Sequence, residues 1–313
     1  MTATITTTMS IKRGRLIVVV GPTGSGKTAL AVALARHYNA PIISTDSRQV
    51  YRGMPIGTAQ PTAEELAAAT HYFIACREPE EEYNCGKYEV EALALLNTLF
   101  EKHDYVVAVG GSGLYIQALC EGMDSLPEAN EELRQSLKLR LDNEGLAPLV
   151  EELRQLDPKY AAEVDIQNPA RIMRALEVCI ATGRPYSEQR LGVRSERPFH
   201  IIKIGTDMPR DILYERIDRR VDMMVEEGLV EEVRALLPKR ELNALQTVGY
   251  RELFEYFDGS CSLEESIELI KRNSRRYAKR QLTWFRRDKE IAWFSPHDTA
   301  AIIRHIDEMA SQN

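Results

Sequence analysis

The chain has 313 residues, with 40 Lys and Arg against 47 Asp and Glu, and a formal net charge of −7. That length suits one large or two modest domains with a sizeable core. Five cysteines without C-x-x-C spacing point to reduced thiols, the six scattered histidines offer no zinc spacing, and no apolar run approaches the roughly 20 residues that span a bilayer.

Residues 1–14 are Thr-rich and lack a secretory apolar core, so they read as a flexible start to a soluble, cytoplasmic protein with no membrane partner. The run Leu16 to Val20 reads as a buried strand. It feeds directly into Gly21, Pro22, Thr23, Gly24, Ser25, Gly26, Lys27 and Thr28. This is a G-x-x-x-x-G-K-[ST] phosphate loop between a strand and a helix, the setting it requires. Its glycines let successive N–H groups face a diphosphate, Lys27 adds a point charge, and the Thr28 hydroxyl can hold Mg²⁺. The helix from about Thr28 to Tyr38 turns its positive end toward the same anion.

Pro41 to Asp46 reads as a second strand, and Asp46 closes it beside the phosphate loop. A carboxylate there can ligate Mg²⁺, act as a general base, or cap the next turn. Thr62-Ala-Glu-Glu65 opens a helix over 62–69 with a capping box. His71 to Ala75 is a weaker strand, and a helix spans about Tyr88 to Lys102.

Tyr105 to Gly110 is the next strand. Hydrolytic phosphate-loop enzymes end such a strand in an Asp that helps hold Mg²⁺, whereas this one ends in Gly110-Gly-Ser-Gly113. That turn allows close approach of a substrate backbone and gives Ser112 a hydrogen-bonding role. A loop that binds diphosphate without the usual hydrolytic partner suggests diphosphate as a leaving group. Asp207, two residues before Pro209, reads instead as a helix N-cap.

From 122 to 199 strand patterns vanish and helical periodicity takes over, in Glu131–Leu141, Leu146–Leu156 and Pro169–Ile180. A strand returns at Phe199–Ile204, followed by helices to about 288, among which Arg216, Arg219 and Arg220 share a helix with Asp218 and Asp222. One of these arginines can clamp a diphosphate. The expected architecture is therefore α/β: a phosphate-loop parallel-sheet core formed by 15–121 and 200–298, an inserted all-helical domain at 122–199, and a terminal helix at 299–313.

Lys271 to Lys289 holds nine basic residues against the single acid Asp288. On a helix, Arg272, Arg275, Arg276, Lys279 and Arg286 form one stripe, opposite Ile267, Ile270, Tyr277 and Phe285. An uncompensated cationic ridge in an acidic protein points to RNA.

Six motifs in order resemble the tRNA dimethylallyltransferase (tRNA isopentenyltransferase) family. They are the phosphate loop, Asp46-Ser-Arg-Gln-Val-Tyr51 with Met54-Pro-Ile-Gly-Thr58, Val109-Gly-Gly-Ser-Gly-Leu-Tyr115, Asn168-Pro-Ala-Arg-Ile-Met-Arg-Ala-Leu-Glu177, Val248-Gly-Tyr-Arg251 and Ala278-Lys-Arg-Gln-Leu-Thr-Trp284. The resemblance covers about Arg15 to Arg287. It implies transfer of a dimethylallyl group from dimethylallyl diphosphate, with Mg²⁺, to the exocyclic N6 of the adenosine 3′ of the anticodon, in tRNAs reading codons that begin with U.

By that similarity Thr23 touches the oxygen bridging to the prenyl carbon, Asp46 takes the amine proton and Arg220 clamps the departing diphosphate. The tRNA anticodon stem-loop would meet Asp46, Ser47, Arg48, Gln49, Ser112, Arg134, Arg171, Arg174, Gln246, Gly249, Tyr250, Arg251, Arg275, Arg276, Lys279, Arg280 and Gln281. Gln246-Thr247 departs from the basic residue often found before Val-Gly-Tyr. The absence of the zinc finger of eukaryotic relatives suggests the bacterial type, and a monomer is expected. A phosphate-loop kinase of a small metabolite or nucleoside is the main alternative. An adenylate isopentenyltransferase acting on free nucleotides and an RNA-binding protein with a vestigial loop are weaker ones.

Overall fold

The computed structural model describes residues 14–124, 126–127, 130–190, 192 and 194–312; of the flexible start read at 1–14, all but Gly14 lies outside them. Two compact units divide the chain. The first runs to Cys120 and resumes at Glu196, and the second is Glu121–Ser195.

The first unit is built on strands β1 (Arg15–Val20), β2 (Ile42–Ser44), β3 (His71–Tyr72), β4 (Tyr105–Gly110), β5 (His200–Thr206) and β6 (Ala292–Phe294). They form one sheet in the order β3-β2-β4-β1-β5-β6, every pairing parallel. The sequence explains the centre of the sheet. Leu16 to Val20 are all fully buried, as a strand covered on both faces must be, and its unbroken apolar run carries no polar face.

Alternation sends Leu16, Val18 and Val20 to one core and Ile17 and Val19 to another. The second core is closed by α1 (Lys27–Tyr38) and α14 (Thr299–Ser311) through Leu30, Leu34, Ile302 and Ile306. The first is covered by α3 (Cys85–Phe100), α4 (Gly113–Glu121), α11 (Leu229–Leu236) and α12 (Tyr250–Phe257). The capping box expected at Thr62 and Glu65 opens α2 (Ala63–Ala68), with both reciprocal bonds formed. A second box, Ser262 with Glu265, opens the 23-residue α13 (Leu263–Phe285), which lies along α10 (Arg210–Glu226) through Leu213, Ile217 and Ala278.

In the second unit α5 (Glu131–Glu144), α6 (Leu146–Leu156), α7 (Pro158–Glu163), α8 (Pro169–Thr182) and α9 (Tyr186–Gln189) enclose a core of Leu137, Leu149, Leu153, Ile172 and Leu176. Asn130, Asp157 and Asn168 cap α5, α7 and α8, the last two followed by proline at the first helical position.

Three local readings are corrected. β3 stops at Tyr72 because Phe73 and Ala75 take left-handed backbone, φ 62° and 44°. β6, paired to β5, has no sequence signal, since three residues are too few to show a period. Asp207 does not cap α10. Pro209 holds the N-cap position without a side-chain bond, while Asp207 Oδ1 accepts from Met208 N and faces Arg286.

The parallel register aligns Val20 with Gly110 and with Gly205. The loops after β1, β2 and β4 therefore emerge at the carboxyl edge, where the order turns outward on either side of β1, the usual seat of ligands in such sheets.

Candidate active site

Gly24 and Gly26 sit at φ 79° and 85°, a left-handed backbone that costs glycine little and lets the loop curl before α1 begins. The loop is held from three sides. Ser25 Oγ and Thr206 Oγ1 share a buried hydrogen bond of 2.7 Å, tying the loop to β5. Arg216 Nε donates to Gly24 O at 3.0 Å, and the Gln281 carboxamide accepts from Thr23 N at 2.9 Å. Lys27 Nζ donates back to Pro22 O at 3.3 Å. Thr28 Oγ1 has no hydrogen-bond partner among the described residues and lines the cavity, so an oxygen donor stands open beside the ammonium.

Burial, and secondly the charge of Arg220, depress Lys27 to a pKa of about 8, with Asp46 acting the other way. Arg220 is itself pulled below its usual range, first by burial. Asp46 acts on both cations, and Glu65 and Glu227 also act on Arg220; an anion brought between Lys27 and Arg220 would relieve their mutual repulsion.

Asp46 follows β2. Its Oδ1 accepts from Arg48 N at 2.8 Å and Gln49 N at 3.3 Å, which is the capping turn. Its Oδ2 has no hydrogen-bond partner among the described residues, so the same carboxylate caps with one oxygen and keeps the other free. The neighbours are organised around it. Ser47 N donates to Ser112 Oγ, Arg48 donates to Asn243 O, and the Gln49 amide links Ser44 Oγ to Ala59 O. Tyr277, on the side of its helix opposite the cationic stripe, stands at this site in contact with Ser112, its hydroxyl raised to about 12, mainly by burial.

The Gly-rich turn after β4 corrects an expectation. A Cβ on Gly111 would lie 2.2 Å from Gln281 Nε2, and one on Gly113 would lie 2.4 Å from the Trp284 indole nitrogen. The close approach it permits is that of α13, whose Gln281 and Trp284 dock into the notch.

These groups border a cavity of about 140 Å³ that opens to solvent. Its lining includes the polar Thr23, Lys27, Thr28, Asp46 and Arg220 and the apolar Ile217, Val221, Met224, Leu229, Val248 and Ile270. A second cavity shares Lys27, Thr28, Ala59, Arg220 and Met224 with it and adds Arg216 and Arg219. Of the three arginines that the sequence singled out on α10, Arg216 braces the loop, Arg219 pairs with Glu215 at the surface, and Arg220 faces both cavities.

The cationic ridge is narrower than its sequence suggested. Arg275 pairs with Asp218, Lys271 with Asp222 and Glu268, and Arg286 with Asp207. Arg272, Arg276 and Lys279 are exposed and form no ion pair among the described residues, while Arg280 and Arg287 lie over Tyr277 and Trp284. If Lys279 neutralises a phosphate, Lys279→Ala should weaken binding of different tRNAs alike and reduce the slope of log affinity against log salt by about one ion. An unchanged slope in filter binding would remove that contact.

The Val-Gly-Tyr-Arg motif divides. Arg251 is exposed, but Tyr250 is fully buried and donates to Glu232 Oε1 at 2.6 Å. Glu232, which no local pattern singles out, also accepts from Ile56 N and Gly57 N and so fixes the loop bordering both cavities. Gly249 N bonds Glu252, and Gln246 donates to Arg240 O. Tyr250→Phe leaves that carboxylate short of a donor and should cost about 1–3 kcal/mol, read as a lower Tm; an unchanged Tm would deny the strut. In the helical unit Arg134 and Arg174 flank the buried Glu177, and Arg171 is exposed.

Residues 49–288 match the family described as IPP transferase, and 17–75 match the ATPase family associated with various cellular activities (AAA). A tRNA dimethylallyltransferase of Cytophaga hutchinsonii is 51% identical over 96% of this chain and 98% of its own. The tRNA dimethylallyltransferase 1 of Phocaeicola vulgatus is 48% identical over 93% and 97%. The chain belongs to the IPP transferase family.

Among solved IPP transferase structures, the full-length tRNA isopentenylpyrophosphate transferase from Bacillus halodurans superposes with a TM-score of 0.71 at 38% identity, over 96% of this chain and 98% of that one. A eukaryotic dimethylallyltransferase acting on tRNA gives 0.76 at 25% identity, over 96% and 77%. Membership in the IPP transferase family removes the kinase alternative. Among the described residues no helix is long and apolar enough to cross a membrane.

Proposed function

We propose that this protein transfers the dimethylallyl group of dimethylallyl diphosphate to N6 of the adenosine 3′ of the anticodon, in tRNAs reading codons that begin with U. The observation that carries the proposal is one cavity lined by the phosphate loop, a carboxylate with an open oxygen, and apolar side chains. A five-carbon chain needs such apolar lining.

The amine nitrogen attacks the allylic carbon as the carbon–oxygen bond breaks, and the bonding pair leaves with the diphosphate. Lys27, Arg220 and the N–H groups that open α1 stabilise that developing charge. Asp46 Oδ2 takes the proton lost from N6, its orientation fixed by the two backbone donors on Oδ1. Thr23, at the loop's cavity side, faces the breaking bond. Oxygen donors suit Mg²⁺, which keeps waters and substrate phosphates in its shell. The Thr28 hydroxyl would hold it, and it would neutralise diphosphate charge.

A stacked anticodon-loop adenine must be flipped out at a cost of a few kcal/mol, which contacts to remote phosphates offset. The exposed Arg272, Arg276 and Lys279 on α13 are among the cations available for this. None of the five cysteines is joined in a disulfide, in keeping with work in the cytoplasm, and we expect the protein to act there as a monomer.

The test is incubation with dimethylallyl diphosphate, Mg²⁺ and unmodified tRNA, followed by nucleoside mass analysis. One adenosine per tRNA should gain a dimethylallyl unit. A folded protein that leaves adenosine unchanged would overturn the reading.

A further inference from the structure

Gln281 sits on the helix that carries the exposed Arg272, Arg276 and Lys279, yet its own side chain points inward and is only 6% exposed. Its Oε1 accepts from Thr23 N at 2.9 Å and its Nε2 donates to Gly111 O at 3.0 Å. The partners fix the orientation of the amide, because the flipped form would set N–H against N–H and oxygen against oxygen. The contact is also sterically reserved, since any side chain at residue 111 would put its Cβ 2.2 Å from Nε2. Three chain segments far apart in sequence therefore meet on one carboxamide: the phosphate loop, the turn after β4 and α13.

Two consequences follow. The N–H of Thr23 is withdrawn from the set that can face a phosphate, so this residue meets the cavity through its side chain. The backbone of Thr23 is also set by α13. Hydrogen bonds weaken steeply with misalignment, so a small displacement of α13 is felt at Thr23.

We propose that Gln281 is a positioning residue that ties the RNA-facing helix to the diphosphate loop. It holds Thr23 in reactive geometry and makes occupancy of the helix and occupancy of the loop energetically interdependent. The identity of the two ligands rests on the prenyl-transfer reading, but the tie itself can be tested by binding alone.

Two variants break it differently. Gln281→Met keeps the volume and removes both bonds. Gly111→Ala leaves Gln281 in place and drives its amide away. For each protein, inorganic diphosphate affinity is measured by calorimetry with and without a tRNA anticodon stem-loop, alongside kcat, both KM values and thermal unfolding.

In the unaltered protein the stem-loop should tighten diphosphate binding about fivefold or more, and by reciprocity diphosphate should tighten the stem-loop equally. In both variants the factor should fall to about one, and kcat should fall about ten- to a hundredfold, because misplacement at a reacting centre costs that much. The KM for tRNA should stay within about twofold, since the amide is not among the cations that meet phosphates.

An unaltered protein without mutual tightening would overturn the proposal. So would a raised KM for tRNA at full kcat, which makes Gln281 an RNA contact. A lower Tm with kcat and tightening intact makes it a packing residue and overturns it as well. Failure of prenyl transfer by the unaltered protein would strike the reaction reading alone, with the binding measurements still deciding on Gln281.

Discussion

Asp46→Asn should retain tRNA binding and lose at least about a hundredfold in kcat, the range expected when a general base is removed. The substitution isolates one oxygen. Asn keeps an acceptor at Oδ1, so the turn built on Arg48 N and Gln49 N survives. The open Oδ2 becomes an amide nitrogen, which donates and takes no proton. Asp46→Ala removes the turn as well and should add a loss of ordering at Ser47 to Gln49, seen as weaker tRNA binding. Single-turnover transfer with bound tRNA separates the two effects. A full rate for Asp46→Asn would exclude Asp46 as the base. A rate restored by raised Mg²⁺ would assign the carboxylate to metal instead.

The parts of this site that could be read from sequence are those whose physics is local. The phosphate loop is legible because its backbone conformation, lysine and helix start lie within a few residues. Leu16 to Val20 is legible because a strand buried on both faces has no polar residue to disguise it. The capping box at Thr62 is equally self-contained. Asp46 carried two readings, catalytic and capping, and its two oxygens leave room for both.

What failed depended on which partner a segment meets. Gly111 and Gly113 announce close approach, but only the fold shows that the approaching body is α13. The stripe on that helix looked uncompensated because Asp218 and Asp222, the acids that pair with Arg275 and Lys271, lie on another helix some fifty residues earlier. Tyr250 shares a motif with exposed Arg251 yet belongs to a buried strut with Glu232, a pairing without a sequence period. Asp207 lost the capping position to Pro209, whose extended backbone filled it without a side-chain bond.

Lys27→Met should lower diphosphate affinity sharply and reduce kcat by about a hundred- to a thousandfold, the usual cost of removing one preorganised donor from a developing anion. The same lysine makes pH a second, independent test. Its folded pKa is about 8 against an ordinary value of 10.5. Between those limits the unfolded chain holds the proton more tightly than the native protein does. Stability of the ligand-free protein therefore rises with pH across that window, by at most about 1.4 kcal/mol per pH unit for one group. Below pH 8 the penalty for burying the charge is present in full.

Diphosphate reverses the preference, because an anion beside Lys27 favours the ammonium. Affinity should be highest below pH 8 and fall above it, with a proton taken up on binding. Calorimetry above pH 8 in two buffers of different ionisation enthalpy measures that proton directly. Opposite trends of stability and affinity over one pH window are difficult to obtain from any group but a buried cation at the anion site. Lys27→Met should abolish the proton uptake and flatten both trends. Diphosphate affinity that stays level from pH 7 to 10 in the unaltered protein would separate Lys27 from the anion and take the loop's proposed role with it.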